Sequence, residues 1–155
     1  MRDTPWTEAA LARLRESSGR SGSARRAVVE LLGRQGCCLS AQEIHDRLRG
    51  TGARVGIASV YRALEGLAEL GLMQRVDLGD GVARFEPAHP GGDHHHHLVC
   101  HDCGKVEPFE DPTLEEVIER VADGRGYAVA AHDVVLRGAC EECRPHRSGT
   151  FVAQT

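Results

Sequence analysis

Four of the six cysteines form two C-x-x-C pairs, Cys100 with Cys103 and Cys140 with Cys143. Each pair places two thiolates on one tight turn, at the angle that tetrahedral zinc requires. Two such pairs complete a four-sulfur site with no open coordination position, which is typical of a structural zinc site. The alternative is a redox-active pair in each motif, but the surrounding pattern of a thioredoxin-like enzyme is missing. The spacing therefore predicts one structural Zn²⁺ bound by these four cysteines.

A run of four histidines, residues 94–97, leads directly into the first cysteine pair. Side chains alternate between the two faces of a strand. A strand over 94–99 would therefore give His94 and His96 to one metal site, and His95 and His97 to another on the opposite face. The alternative is a solvated polar loop. Each histidine pair needs further ligands, and the candidates are Glu115 on a predicted helix, His132 in a strand-like segment, and Glu86 and His89 in a predicted hinge.

Charge and composition divide the chain into two halves. Arginines outnumber acidic residues in 1–85, whereas acidic residues dominate 86–155, which also hold eight of the nine histidines. This asymmetry predicts that only the first half meets an anionic partner. The charged N-terminal stretch has no signal-peptide core, and no apolar segment is long enough to span a bilayer. We therefore expect a cytoplasmic protein without membrane association, in which cysteines bind metal rather than form disulfides.

The first half shows the pattern of a winged helix-turn-helix. Helices are predicted over 6–17, over 23–34 with Ser23 as a possible cap, over 40–50 with Ser40 and Glu43 as a capping box, and over 57–70 with a stop at Gly71. Two alternating segments around Gly79-Asp80-Gly81 then predict a β-hairpin, the wing. The alternative is a small helical bundle with an added hairpin.

The fourth predicted helix is the one expected to enter the major groove of DNA, because it is the second helix of the helix-turn-helix pair. Its early residues Ser59, Tyr61 and Arg62 have side chains able to contact bases, sugars or phosphates. Arg25 and Arg26, at the start of the second helix, are candidates for phosphate contacts. The alternative for each of these residues is a solvated surface position.

Prolines and glycines mark a hinge at 86–93, with the sequence EPAHPGGD. We therefore expect an α+β protein with a winged-helix domain over 1–85 and a metal-binding domain over 94–147. The polar tail, 148–155, is expected to be disordered. A metal ligand on the hinge would let ion binding fix the relative orientation of the two domains.

With these motifs in place, the sequence resembles the ferric uptake regulator superfamily of bacterial metal-dependent repressors, from about Gly19 to Cys143. The segments that carry the resemblance are SAQEIHDRL, ASVYRALEGLAELGL, DHHHHLVCHDCGKV and GACEEC. The resemblance implies a homodimer with an N-terminal winged-helix domain. It also implies a small C-terminal α/β dimerisation domain with zinc knuckles.

The resemblance also implies a role for each candidate ligand. The four cysteines match the structural zinc ligands, and Tyr61 and Arg62 match a recognition-helix pair. A second site in the dimerisation domain matches His94, His96, Glu115 and His132. The hinge regulatory site matches His95 and His97, with Glu86, His89 and Cys38 as candidates for its remaining ligands.

The hinge site is where the sequence departs from the family pattern. Cys38 stands where the iron-sensing branch usually has histidine, and Gln74 stands where many zinc-sensing members have aspartate. His89 takes a place where other branches supply cysteine or aspartate. A mixed set of sulfur, nitrogen and oxygen ligands suits Zn²⁺ and also accommodates Fe²⁺.

These features predict a metal-responsive repressor of metal-uptake or metal and oxidative-stress genes, with Fe²⁺ or Zn²⁺ as corepressor. It would act as a homodimer on a double-stranded DNA operator. The alternatives are a zinc-dependent metalloenzyme and a metal-buffering protein. We expect that the protein is not an enzyme, because its sequence has no positioned general base such as that of an H-E-x-x-H motif.

Overall fold

The computed structural model describes residues 4–18, 22–88 and 95–144. The chain divides into two compact units, Met1–Asp93 and His94–Thr155, and each contains a three-stranded sheet. Three predicted features lie outside the described residues: the ligands His89 and His94, and the tail over 148–155. Within the described ranges, no helix combines the length and the apolar character needed to cross a membrane.

The first unit contains four helices and three short antiparallel strands. In chain order these are α1 (Thr4–Ser18), α2 (Ser23–Leu32), β1 (Leu39–Ser40), α3 (Ala41–Gly50), α4 (Ile57–Glu69), β2 (Met73–Asp77) and β3 (Ala83–Pro87). The strands lie in the order β1-β3-β2. The predicted helices and hairpin are confirmed, so α3 and α4 form the helix-turn-helix and β2 and β3 form the wing.

Local sequence signals explain most of these boundaries. The Ser40 hydroxyl accepts a hydrogen bond from the Glu43 amide, and the Glu43 carboxylate accepts one from the Ser40 amide, which is the predicted capping box. Gly71 ends α4 with a φ of +67°, which favours glycine. The expected Ser23 cap is wrong. Gly22 is the N-cap and Ser23 is already the first helical residue, because the extended backbone falls one residue earlier.

A single apolar cluster supports the first unit. It joins α1, the three helices that follow and the start of the wing, with Val28, Ile44, Leu64 and Leu67 among its fully covered members. Trp6 of α1 is buried and donates its indole N–H to the carbonyl of Leu72 over 2.8 Å. The wing and the recognition helix are therefore both attached to one rigid apolar core.

The second unit has a mixed sheet and one helix. Its elements are β4 (His96–Cys100), β5 (Val106–Phe109), α5 (Pro112–Asp123) and β6 (Val135–Gly138). The strand order is β5-β4-β6, with β4 antiparallel to β5 and parallel to β6. Parallel neighbours need a crossover connection, and α5 lies in that connection. The fold class, a winged helix followed by a small α/β domain, is confirmed.

Two placements differ from the sequence-based expectation. Glu86 was expected on the hinge, but β3 continues to Pro87, and Glu86 pairs with Gln74 within the wing sheet. His132 was expected in a strand, but the ladder with β4 begins only where His97 pairs with Val135. His132 therefore lies in the irregular segment that leads into β6.

Candidate metal centres and DNA-contacting helix

The four cysteines of the C-x-x-C pairs converge at one end of the second sheet. Cys100 ends β4, and its parallel partner in β6 is Gly138, two residues before Cys140. Both cysteine pairs therefore lie at the same end of the sheet, where β4 and β6 finish. All four sulfurs lie within 4.8 Å of one another, and the sulfurs of Cys103 and Cys140 are 3.8 Å apart. Tetrahedral zinc with Zn–S bonds of about 2.3 Å requires sulfur separations of about 3.8 Å, so the donor set fits this ion.

The backbone around the cysteine cluster favours negative charge on sulfur. The Cys140 amide donates to the Cys100 sulfur over 3.3 Å. This bond is the main reason that the pKa of Cys100 is lowered to about 6. The pKa of Cys143 is raised instead, chiefly by its hydrogen bond with the Cys140 sulfur. Thiolate is thus favoured at Cys100, and a bound cation would displace protons from the sulfurs that hold it.

A second ligand cluster lies on one face of β4 and contains His96, Glu115 and His132. One carboxylate oxygen of Glu115 is 2.6 Å from Nε2 of His96, and the other is 3.0 Å from Nε2 of His132. His96 is almost fully buried, whereas Glu115 and His132 are half-buried. Two imidazoles and one carboxylate form a donor set that suits Zn²⁺ or Fe²⁺.

The position of Glu115 depends on how α5 begins. Asp111 is the N-cap, and its carboxylate accepts hydrogen bonds from the amides of Thr113 and Leu114 at 2.8 and 3.2 Å. Pro112 occupies the first turn, where its missing N–H has no cost. Glu115 therefore sits in the first turn of a fixed helix. The Asp111-Pro112 pair is the sequence signal for this start.

His95 and His97 are neighbours in the second unit. They are separate from the His96 cluster because successive side chains of an extended segment point to opposite faces. Their ring centroids are 5.0 Å apart. His97 is buried and His95 is half-buried. Because His96 contacts Glu115 while His95, just before β4, and His97 contact each other, this segment presents two separate sets of imidazoles, as the period of two predicts.

Two further candidate ligands of the regulatory site, Cys38 and Glu86, lie side by side at the wing sheet of the first unit, and His89 lies outside the described residues. Leu39 pairs with Phe85, so Cys38 stands beside Glu86, and Glu86 pairs with Gln74. The Gln74 amide donates to the Glu86 carboxylate over 2.6 Å. The pKa of Cys38 is raised by its sulfur contact with Cys37 at 4.0 Å, by burial and by the negative charge of Glu86.

The predicted DNA-contacting residues lie in the first unit, and three of the five are exposed. Helix α4 buries Val60 and Leu64, whereas Tyr61 is 51% exposed and Arg62 is exposed. Ser59 is half-buried. At the start of α2, Arg25 is half-buried and Arg26 forms an exposed ion pair of 2.8 Å with Glu30. An exposed pair of this kind is weak, so it does not prevent Arg26 from turning to a phosphate.

A winged helix with an exposed recognition helix, followed by a unit rich in metal ligands, defines a metal-responsive transcription regulator. Residues 16–137 match the model of the Ferric uptake regulator family. The ferric uptake regulation protein of Bacillus subtilis is 36% identical over 106 residues, which are 68% of this chain and 71% of that protein. The peroxide operon regulator of the same organism is 32% identical over 134 residues, 86% of this chain and 90% of that protein.

Solved structures agree with this assignment. The Helicobacter pylori ferric uptake regulator, described as having three functional metal binding sites, superposes with a TM-score of 0.75 at 30% identity. The superposition covers 93% of this chain and 96% of that chain. The chain belongs to the ferric uptake regulator family.

Proposed function

We propose that this chain is a metal-dependent repressor that acts as a homodimer on a double-stranded operator and controls genes of metal uptake or of metal and oxidative stress. The winged helix supplies the DNA-reading surface, with Tyr61 and Arg62 exposed on α4. Ser59, Arg25 and Arg26 add polar and phosphate contacts. In a dimer, two such helices would read the two halves of a pseudo-palindrome.

The metal sites follow from the donor sets. Cys100, Cys103, Cys140 and Cys143 would hold a structural Zn²⁺. His96, Glu115 and His132, with His94, would hold a second ion. The regulatory Fe²⁺ or Zn²⁺ would be bound by His95 and His97 with His89 or Glu86, and Cys38 is a further candidate ligand.

Dimerisation through the second unit is supported by apolar side chains that the unit leaves exposed. Leu98 of β4 and Leu136 of β6 pair in register and are 40% and 49% exposed. On α5, Val117 and Val121 are exposed one turn apart. A second copy of the unit would bury these side chains and stabilise both copies.

The observation that carries the proposal is the alternation of imidazoles over residues 95–97, at the start of β4. His96 faces Glu115 and His132, whereas His95 and His97 contact each other. This segment would thus bind one ion inside its own unit and offer two ligands for another ion. That second ion would act as a switch only if it binds the DNA-competent form more tightly than the other form.

The test measures operator affinity in protein that keeps its structural zinc while the regulatory ion is removed or added. The operator is selected by the metal-loaded protein from random duplexes. We expect the ion to raise affinity by about 5- to 150-fold, and His97→Ala to abolish that response without loss of the structural zinc. Arg125→Ala, an exposed change in the same unit, serves as the control. Equal affinity with and without the ion would refute the switch.

The same measurements separate the alternatives. A metal-buffering protein would bind duplexes of any sequence alike, whereas a repressor prefers its operator by about a thousandfold or more. A metalloenzyme would show hydrolysis that survives Arg62→Ala and is lost in His97→Ala. We propose that the chain has no such activity, because its sequence has no positioned general base such as that of an H-E-x-x-H motif.

A further inference from the structure

An open pocket lies beside the start of the recognition helix, in the turn of the helix-turn-helix. Its volume is about 530 Å³, and its lining includes Arg49, Arg54 and His45. Arg49 is in the last turn of α3, and Arg54 lies in the segment that leads into α4. None of these three residues was among the DNA contacts expected from the sequence.

Three other arginines of the first unit have internal partners, whereas the two pocket arginines have none within the described ranges. Arg26 is paired with Glu30, Arg84 with Asp80, and Arg47 donates to Gln35. Over the part of the chain that the structure describes, Arg49 and Arg54 have no such internal partner. Among the described residues, the acidic side chain that pairs with the lining is Asp46, whose carboxylate is 3.5 Å from His45 and also accepts from Gln42 at 3.0 Å. The pocket therefore has an excess of positive charge.

The backbone at the pocket adds to this excess. Gly56 is the N-cap of the 13-residue helix α4 and provides no side chain to cap the first amides. A Cβ built at Gly52 or at Gly56 would meet nothing within 4 Å, so the entrance is open. The N-terminal end of a helix carries partial positive charge and unsatisfied N–H groups, which favour a phosphate.

We propose that this pocket binds a phosphate of the DNA backbone through Arg49 and Arg54, and so seats α4 in the major groove. Arginine matches phosphate geometry with paired N–H donors. The proposal rests on the DNA-binding function above, because Tyr61 and Arg62 on the same helix are the expected base-reading residues. The pocket contact would set the depth and orientation of α4, and the base contacts would set sequence preference.

The experiment measures how the affinity of the full-length, metal-loaded protein for DNA depends on salt. The affinity K falls as salt rises, and each lost phosphate contact makes the slope of log K against log salt shallower by about 0.9. Because a dimer carries two pockets, Arg54→Ala is expected to reduce the magnitude of the slope by about two. Arg49→Ala should reduce it by a similar amount. Both losses should be equal on the selected operator and on a duplex of arbitrary sequence.

Two controls make the result specific. Arg54→Lys keeps the charge and should keep most of the slope. Arg125→Ala removes the same charge from an exposed turn of the second unit and should leave the slope unchanged. Thermal unfolding of each variant checks that the winged helix is intact.

The outcomes separate this inference from the function on which it rests. An unchanged slope in Arg49→Ala and Arg54→Ala, with metal-dependent operator binding retained, would overturn the pocket and leave the repressor in place. Saturable binding of inorganic phosphate that is lost in both variants, again with an unchanged DNA slope, would assign the pocket to a free anion instead. If the unaltered protein selects no operator, both proposals fail.

Discussion

The two units of this chain are stabilised in different ways. Every member of the buried apolar cluster belongs to the first unit. Among the described residues of the second unit, those that are buried are His96, His97 and Cys100, and α5 buries no residue at all. The first unit is thus a conventional small domain, whereas the buried positions of the second are occupied by candidate metal ligands.

This difference has a general physical reason. A segment of this size buries too little apolar surface to offset its conformational entropy, and metals or a partner subunit supply the missing stability. Ligand binding then becomes folding free energy. We expect the structure of the second unit to depend on metal, which makes it the unit that can respond to metal.

The sharpest test of the comparison is to remove one sulfur from the cysteine cluster. Cys103→Ser should lose the structural zinc and with it binding free energy on the order of 10 kcal/mol. We expect the second unit to lose hydrogen-exchange protection while the helices of the first unit keep theirs. Cys37→Ser is the matched control, since that cysteine lies in the first unit. Stoichiometric zinc in Cys103→Ser would contradict the assignment.

The converse change makes a cavity in the apolar core. Leu64 is 2% exposed, and Leu64→Ala should destabilise the first unit by about 2–5 kcal/mol. Zinc content, measured by elemental analysis, should not change. Val82→Ala, at an exposed position of the same unit, should have little effect on chemical denaturation. Loss of zinc in Leu64→Ala would show that the two units do not fold independently.

The smallest expected effect concerns the wing. The guanidinium of Arg84 bonds to Asp80 at 2.7 and 2.9 Å and is the main cause that lowers the pKa of Asp80 to about 2. Since this value is below the unfolded value of about 3.9, the stabilisation is complete above that range. It disappears as the pH falls through about 2.

Asp80→Asn should therefore lower stability at neutral pH by about 1 kcal/mol or less, because the carboxylate is partly exposed. Unfolding by urea across a pH series should show the two proteins converging near pH 2. A gap that stays constant down to that pH would mean that the ion pair is not its cause. Metal removal should not alter the result if the wing belongs to the metal-independent unit.

Local signals predicted much of the fold and of the candidate site. The capping box at Ser40 and the positive-φ glycines of the wing each act within a few residues, so sequence alone reveals them. The cysteine pairs and the alternation of the histidines are equally local, because a turn or a strand fixes the geometry. These features needed no knowledge of the tertiary structure.

Features that depend on distant pairing were missed or misplaced. The register of β6 against β4 excludes His132 from the strand, and the length of β3 takes Glu86 off the expected hinge. Trp6 bonds to a carbonyl 66 residues away. Strand β1 has only two residues and ends at the N-cap of α3. Such outcomes are decided by packing and pairing partners, which periodicity does not identify.

The parallel pairing of β4 with β6 has a consequence during protein synthesis. The first unit has all its strands once Pro87 has emerged from the ribosome, and domains generally fold in that N-terminal order. Cys100 is synthesised well before Gly138, its strand partner, and before the two cysteines that follow Gly138. A nascent chain thus carries a folded DNA-reading unit and half of a sulfur cage. All four sulfurs become available to zinc only after synthesis has passed Cys143.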